Sequence, residues 1–162
     1  MFRDNGPDEG GFDSGTGTAH QDAVWPYYLT WGISMPFAYW SILIAALLPL
    51  IIIGYAKAGS RDNSAPRDSA ENLSGAKRRA YAAHQNAFES FPFYAVSVIA
   101  ALNFGASATT VSVLAVLYLA FRIAHALLYI ADKSSLRSAA YAGGLFANIA
   151  IFLSPALKIN FF

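Results

Sequence analysis

The chain has no cysteine among its 162 residues. It therefore has no disulfide framework, no thiolate metal site and no cysteine nucleophile. Charged residues are also scarce, because Asp, Glu, Lys and Arg make up 13% of the chain, about half of the roughly 25% of an ordinary soluble domain. The three histidines lack the paired spacing of metal ligands, so we expect no metal site. The net charge of +1 gives no indication of a nucleic-acid partner.

Hydrophobic residues are abundant instead, at 56% of the sequence. Membrane-length apolar stretches predict spans over about 37–57, 79–104, 111–131 and 136–157, with a C-terminal tail at 158–162. The expected fold class is an all-α integral membrane protein, a four-transmembrane-helix bundle in the lipid bilayer. Gly143 and Gly144 in the fourth span predict a small-residue surface for close helix packing.

The N-terminal region lacks the pattern of a secretory signal, which needs a basic start followed by an apolar run. Residues 1–22 are acidic and rich in glycine, which predicts a flexible arm. A docking tail for a partner is the alternative. Residues 23–36 are crowded with Trp, Tyr and Pro, which predicts an aromatic interfacial segment at the level of the lipid headgroups.

Basic residues are distributed unevenly between the loops. The first and third loops, with their flanks, carry Lys57, Arg61, Arg67, Lys77, Arg78, Arg79, Lys133 and Arg137. The opposite side carries Arg3 and Lys158, and the second loop has no charge. By the positive-inside rule, the first and third loops are cytoplasmic and both termini are extracytoplasmic.

Two of the predicted spans contain polar stripes. Asn86 and Glu89 are three residues apart on the second span, and Arg122, His125 and Tyr129 share one face of the third. A charged side chain at the bilayer centre costs roughly 2.5–3.5 kcal/mol on insertion scales, so such residues are seldom without a role. The stripes therefore predict either a structural network, with an ion pair between Glu89 and Arg122, or a site for a polar ligand.

The start of the fourth span adds further polar groups, Arg137, Ser138 and Tyr141. Free amides and the dipole at a helix N-terminus favour an anion. We therefore expect a carboxylate or a thiolate to bind near Arg137 and Ser138, on the cytoplasmic side.

Three segments in order carry a family resemblance: RAYAAHQNAFESFPFYA with its N-x-x-E, RIAHALLYIAD with R-x-x-H-x-x-x-Y, and LRSAAY. Over about residues 40–157 the chain resembles the MAPEG proteins, the membrane-associated proteins of eicosanoid and glutathione metabolism. The loop phrase RDNSAPRD, followed by LSG and a basic pair, is most similar to the bacterial branch. The resemblance implies a homotrimer in a bacterial inner membrane, with glutathione as co-substrate held between subunits.

The resemblance also implies roles for the polar stripes. Asn86 and Glu89 would contact the backbone and the amine of glutathione. His125 and Tyr129 would bind its carboxylate end, and Arg122 would support Glu89 or the ligand.

For the fourth span, the resemblance implies that Arg137 and Ser138 face the sulfur and that Tyr141 closes the pocket. A free thiol has a pKa of about 8.5, which a neighbouring cation and a helix N-terminus lower. Glutathione would thus supply the nucleophile that the cysteine-free chain lacks.

Two departures from the catalytic members leave two hypotheses open. Gln85 stands where the eicosanoid enzymes have Arg, and the first span contains no Arg, Lys57 at its end being the nearest cation. The first hypothesis is a glutathione transferase or peroxidase that acts on lipophilic small molecules. The second is a non-catalytic accessory subunit of a larger membrane complex, docking through its arm and aromatic segment.

Overall fold

The computed structural model describes residues 35–59 and 72–161. Within them the chain forms helices α1, Phe37–Lys57, α2, Gly75–Asn103, α3, Ala108–Ile130, and α4, Ser134–Leu153. The predicted arm at 1–22, most of the aromatic segment at 23–36 and the loop phrase at 61–68 lie outside the described residues.

Three of these helices, α1, α3 and α4, are long and apolar enough to cross a membrane. The prediction of an all-helical membrane protein is thus confirmed. The second helix, α2, has 29 residues. It is less apolar than the other three helices because it begins with a basic stretch and carries Asn86 and Glu89 further along.

The largest differences from the predicted spans are at the start of α2 and at the end of α4. The helix α2 begins at Gly75, before the apolar stretch that predicts a span from about Arg79. The helix α4 ends at Leu153, where the sequence predicted a span to about residue 157. Pro155 has no N–H to donate to the Ile151 carbonyl, and the Ser154 hydroxyl donates to that oxygen instead, at 2.8 Å.

A pair of stacked tyrosines occupies the core of the bundle. The rings of Tyr94 on α2 and Tyr118 on α3 lie 3.8 Å apart between centroids, with 4° between their planes. Ser41 on α1 shares a hydrogen bond of 2.5 Å with the Tyr94 hydroxyl. This contact connects α1 to the α2–α3 pair and satisfies a phenol that is fully buried.

A histidine joins α1 to α2 in the same way. His84 Nδ1 lies 2.8 Å from the carbonyl oxygen of Pro49, the proline inside α1. His84 thus forms a contact between two helices.

The glycines of α4 form a close helix contact, as the sequence predicted, and the partner in the structure is α3. A Cβ atom added at Gly143 would lie 2.6 Å from Phe121 Cε1, and one at Gly144 would lie 3.3 Å from Arg122 Cδ. Both distances are too short for relaxed packing, so any larger side chain would move α4 away from α3 or displace the groups it meets. The glycine pair therefore places α4 against the polar stripe of α3.

We expect the Gly143→Ala variant to lower the free energy of unfolding by about 1 kcal/mol. Overpacking against the Phe121 ring costs about 1–3 kcal/mol, which exceeds the gain of about 1 kcal/mol in helix propensity. Unfolding in mixed micelles measures the difference. Gly54→Ala is the matched control, because a Cβ there meets nothing within 4 Å and should leave stability unchanged or raise it. If both variants behave alike, Gly143 is not at a close contact.

Candidate functional site

Arg122 is the charged residue at the centre of the site. Its side chain is only 4% exposed, and Nη2 donates to the Asn86 backbone oxygen at 3.0 Å, to Asn86 Oδ1 at 2.8 Å and to Ser90 Oγ at 2.6 Å. A buried cation needs such partners, because it has lost its hydration. These hydrogen bonds connect the middle of α3 to one face of α2.

The ion pair between Glu89 and Arg122, which the sequence left open as a structural alternative, is not formed within the chain. Among the described residues Arg122 has no carboxylate within ion-pair distance, and Glu89 is exposed. Helical spacing explains the difference. Asn86 and Ser90 are four residues apart and both face α3, whereas Glu89 lies on the other side of Asn86.

The remaining polar residues of α3 and α4 form a connected cluster of rings and cations. His125 contacts Tyr129 edge-on, with 5.6 Å between ring centroids, and Tyr141 at 5.9 Å. The Arg137 guanidinium lies over the Tyr129 ring, 4.2 Å from its centroid, and Arg122 lies 5.6 Å from the centroid of Tyr141. Residues that the sequence placed on separate helices thus meet at one position in the bundle.

Among the described residues, no group holds the Arg137 side chain by a hydrogen bond, in contrast to Arg122. Among the described residues its side chain makes the cation–π contact with Tyr129 and neither a hydrogen bond nor an ion pair. It is half-buried, and Tyr141 next to it is 40% exposed. A guanidinium in this state can bind a carboxylate or a thiolate without first breaking another interaction.

Ser138 lies apart from the ring cluster in this structure. It is exposed, and its hydroxyl donates to the Ser134 carbonyl at 3.1 Å, one turn earlier in α4. No side chain caps the start of α4 at Lys133, so the first amides of this helix remain available to an acceptor. The structure therefore places Ser138 and these amides at the same helix end as Arg137.

Sequence reasoning missed several residues at or near the site. Ser90 was not singled out, although its spacing of four from Asn86 was a usable signal. Gly144, which gives the Arg122 side chain its space, was assigned only to helix packing. Asn148 lies one turn beyond Gly144. It is 2% exposed, and its Oδ1 atom is buried without a partner among the described residues.

Comparison with known proteins gives a match at the level of the family. A search of curated proteins and a search of solved structures each returned no match. The family model described as "MAPEG family" matches residues 37–157. This range includes all four described helices and every residue of the candidate site. The chain is therefore a membrane protein that belongs to the MAPEG family.

Proposed function

We propose that this protein is a membrane-bound glutathione-dependent enzyme, a transferase or peroxidase that acts on lipophilic electrophiles from the bilayer. The observation that carries the proposal is the convergence of Arg122, His125, Tyr129 and Tyr141 with Arg137, whose guanidinium has no anionic partner among the described residues. A purely structural network would be expected to use its cations internally, because unpaired charge at membrane depth is costly.

In this proposal Arg137 stabilises the glutathione thiolate, with help from the uncapped N-terminus of α4. Ser138 would donate its hydroxyl to the sulfur after turning away from the Ser134 carbonyl. In a conjugation, the sulfur forms a bond to an electrophilic carbon and the leaving group departs with the bonding electron pair. In peroxide reduction, the sulfur takes the distal oxygen and an alcohol leaves. A second glutathione then releases water from the sulfenic acid and gives the disulfide.

The rest of the tripeptide would be held by the polar stripes. Glu89 is exposed and would bind the glutathione amine. His125 and Tyr129 would bind a carboxylate, and Tyr141 would close the pocket. Arg122 acts as a positioning residue in this scheme, because its donors orient Asn86 toward the ligand.

Exposed polar residues on α2 support a site between subunits. Gln85 and Glu89 are both exposed on α2, within a helix that would lie in hydrocarbon if the chain were alone. Polar groups at that depth require a partner. A neighbouring copy and a ligand held between the copies would supply it, which is the homotrimer that the family resemblance implies.

The length of α2 and the positions of the basic residues support a membrane topology of four spans. The helix α2, with 29 residues, is about 43 Å long at 1.5 Å per residue. That length is enough to cross a hydrocarbon core of about 30 Å as a fourth span. Lys57, Lys77 and Arg79 lie at the bundle end that we assign to the cytoplasm, with both termini outside a bacterial inner membrane.

One set of observations favours the accessory subunit as a second candidate. Arg122 is held by α2, Gln85 is neutral, and α1 contains no Arg. The site therefore offers fewer cations to a charged tripeptide than the catalytic pattern would. In that case the cluster would hold the helices together, and the protein would act within a larger membrane complex.

Calorimetry of glutathione with the detergent-purified protein tests the enzyme proposal, read together with thiolate absorbance. We expect binding at or below millimolar glutathione together with a thiolate signal. S-methylglutathione is the control, because it should bind without that signal. No heat from either compound at millimolar concentration would contradict the proposal and favour the accessory role.

A further inference from the structure

The helix α3 has a second face, beside the polar stripe, that forms an apolar groove with α1. The groove has a volume of about 450 Å³ and is lined by Leu48, Ile51, Ile52, Tyr55, Ile123, Ala126, Leu127 and Ile130. Ile51 and Leu127 are 70% and 62% exposed, so the groove is open to the side. Both helices are long and apolar enough to cross a membrane, and in a bilayer the exposed side of the groove would face hydrocarbon.

Two basic side chains from α2 lie at one end of this groove. Lys77 Nζ donates to the Ala58 carbonyl, directly beyond the C-terminus of α1. Arg79 Nε donates to the carbonyl of Ile130, the last residue of α3, at 3.0 Å. Since Tyr55 and Ile130 both line the groove, the two cations of α2 lie next to its end, Lys77 beside the end of α1 and Arg79 beside the end of α3.

Among the described residues, the charge beside this end of the groove is positive. Lys77 and Arg79 carry two positive charges, and the carboxylate of Asp132 lies 3.7 Å from Arg79 Nη1. An ammonium has three donors and a guanidinium has five. The contacts described for Lys77 and Arg79 use only part of them. The remaining donors can reach the oxygens of an anionic group.

We propose that the groove binds an anionic phospholipid, with an acyl chain between α1 and α3 and the phosphate at Lys77 and Arg79. The observation behind this occupant is charge complementarity at the end of an apolar, lipid-facing groove. A second copy of the chain docked in the same way would bring two basic ends together, which costs energy. The site lies on the α1–α3 face and does not depend on the proposed glutathione chemistry.

Native mass spectrometry of the intact protein in detergent tests the proposal, with phosphatidylglycerol and phosphatidylcholine of equal chain length as probes. We expect phosphatidylglycerol to be retained roughly thirtyfold more tightly. The Lys77→Gln/Arg79→Gln double variant should bind it roughly thirtyfold more weakly, at about 1 kcal/mol for each charge, while phosphatidylcholine binding is unchanged. Lys158→Gln, which removes one charge beyond the C-terminal end of α4, is the matched control and should match the unmodified protein.

A second variant tests the acyl part of the site and does not disturb the basic residues. Leu127→Trp fills part of the groove from an exposed position and should weaken binding of both lipids severalfold. Glycerol phosphate, which has the headgroup chemistry without a chain, should not displace the lipid. Equal retention of the two lipids, an unchanged preference in the double variant, or displacement by glycerol phosphate would each overturn the proposal.

Discussion

The Arg137→Ala variant is expected to lose the thiolate absorbance of bound glutathione and to conjugate lipophilic electrophiles at least about a hundredfold more slowly. Removal of one preorganised group that stabilises developing charge typically costs about 10²–10³ in kcat. Arg137 is the cation of the cluster without a hydrogen-bonded partner among the described residues. Spectroscopy at saturating glutathione and single-turnover kinetics would measure the two losses separately.

Two further variants distinguish charge from geometry at this position. Arg137→Lys keeps the positive charge but loses the planar fork and much of the stacking on Tyr129, so it should retain part of the thiolate signal. Lys133→Ala removes an exposed cation from the same end of α4 and should leave activity unchanged. The assignment of the thiolate to Arg137 is wrong if Arg137→Ala keeps full activity, or if Lys133→Ala loses as much activity as Arg137→Ala.

Much of the fold follows from local patterns in the sequence. Long apolar stretches predict the helices, because only helices satisfy every backbone group within hydrocarbon. The spacing of Arg122, His125 and Tyr129 puts these residues on one face of α3, and His125 contacts Tyr129 and Tyr141 in the structure. Gly143 and Gly144 indicated the close approach of α4, which the structure confirms.

Contacts between helices could not be predicted in the same way, because a sequence does not give the rotation of one helix against another. A rotation of about 100° separates neighbouring residues on a helix, so a small error changes the expected partner. The sequence left Glu89 open as a partner of Arg122, and the structure gives Asn86 and Ser90 instead. The stacking of Tyr94 on Tyr118 likewise has no local signal.

The two faces of α3 require different surroundings, one polar and one apolar. The face with Arg122 and His125 is buried against α2 and α4 and contains polar groups that need partners. The face with Ile123 and Leu127 is exposed and apolar, and lipid is the partner that we propose for it. A protein–ligand site and a lipid site can therefore share one helix without competing for residues.

The Arg122→Met variant is expected to bind glutathione roughly thirtyfold more weakly, or worse, while its free energy of unfolding falls by at most about 3 kcal/mol. Arg122 Nη2 has two hydrogens to donate to its three acceptors, and at about 1.5–3 kcal/mol for each hydrogen bond to a charged group they contribute about 3–6 kcal/mol. A buried cation in a membrane costs roughly 2.5–3.5 kcal/mol, so removing the cation offsets much of the loss of these hydrogen bonds. The ligand, however, loses a positive charge nearby and the orientation of Asn86. Calorimetry of glutathione binding and unfolding in mixed micelles measure the two quantities.

A double-mutant cycle with Asn86→Leu shows how Arg122 acts. If Arg122 positions Asn86, the losses in glutathione affinity are not additive, and the second substitution adds little to the first. If Arg122 acts on the ligand by charge alone, Arg122→Lys restores most of the affinity and the losses in the cycle add. A large loss of stability with unchanged glutathione affinity would contradict both of these roles, because Arg122 would then only connect α2 to α3. A cation buried against neutral groups, without a carboxylate among the described residues, is a costly way to join two helices. This cost is the physical reason to expect that the loss falls on ligand binding.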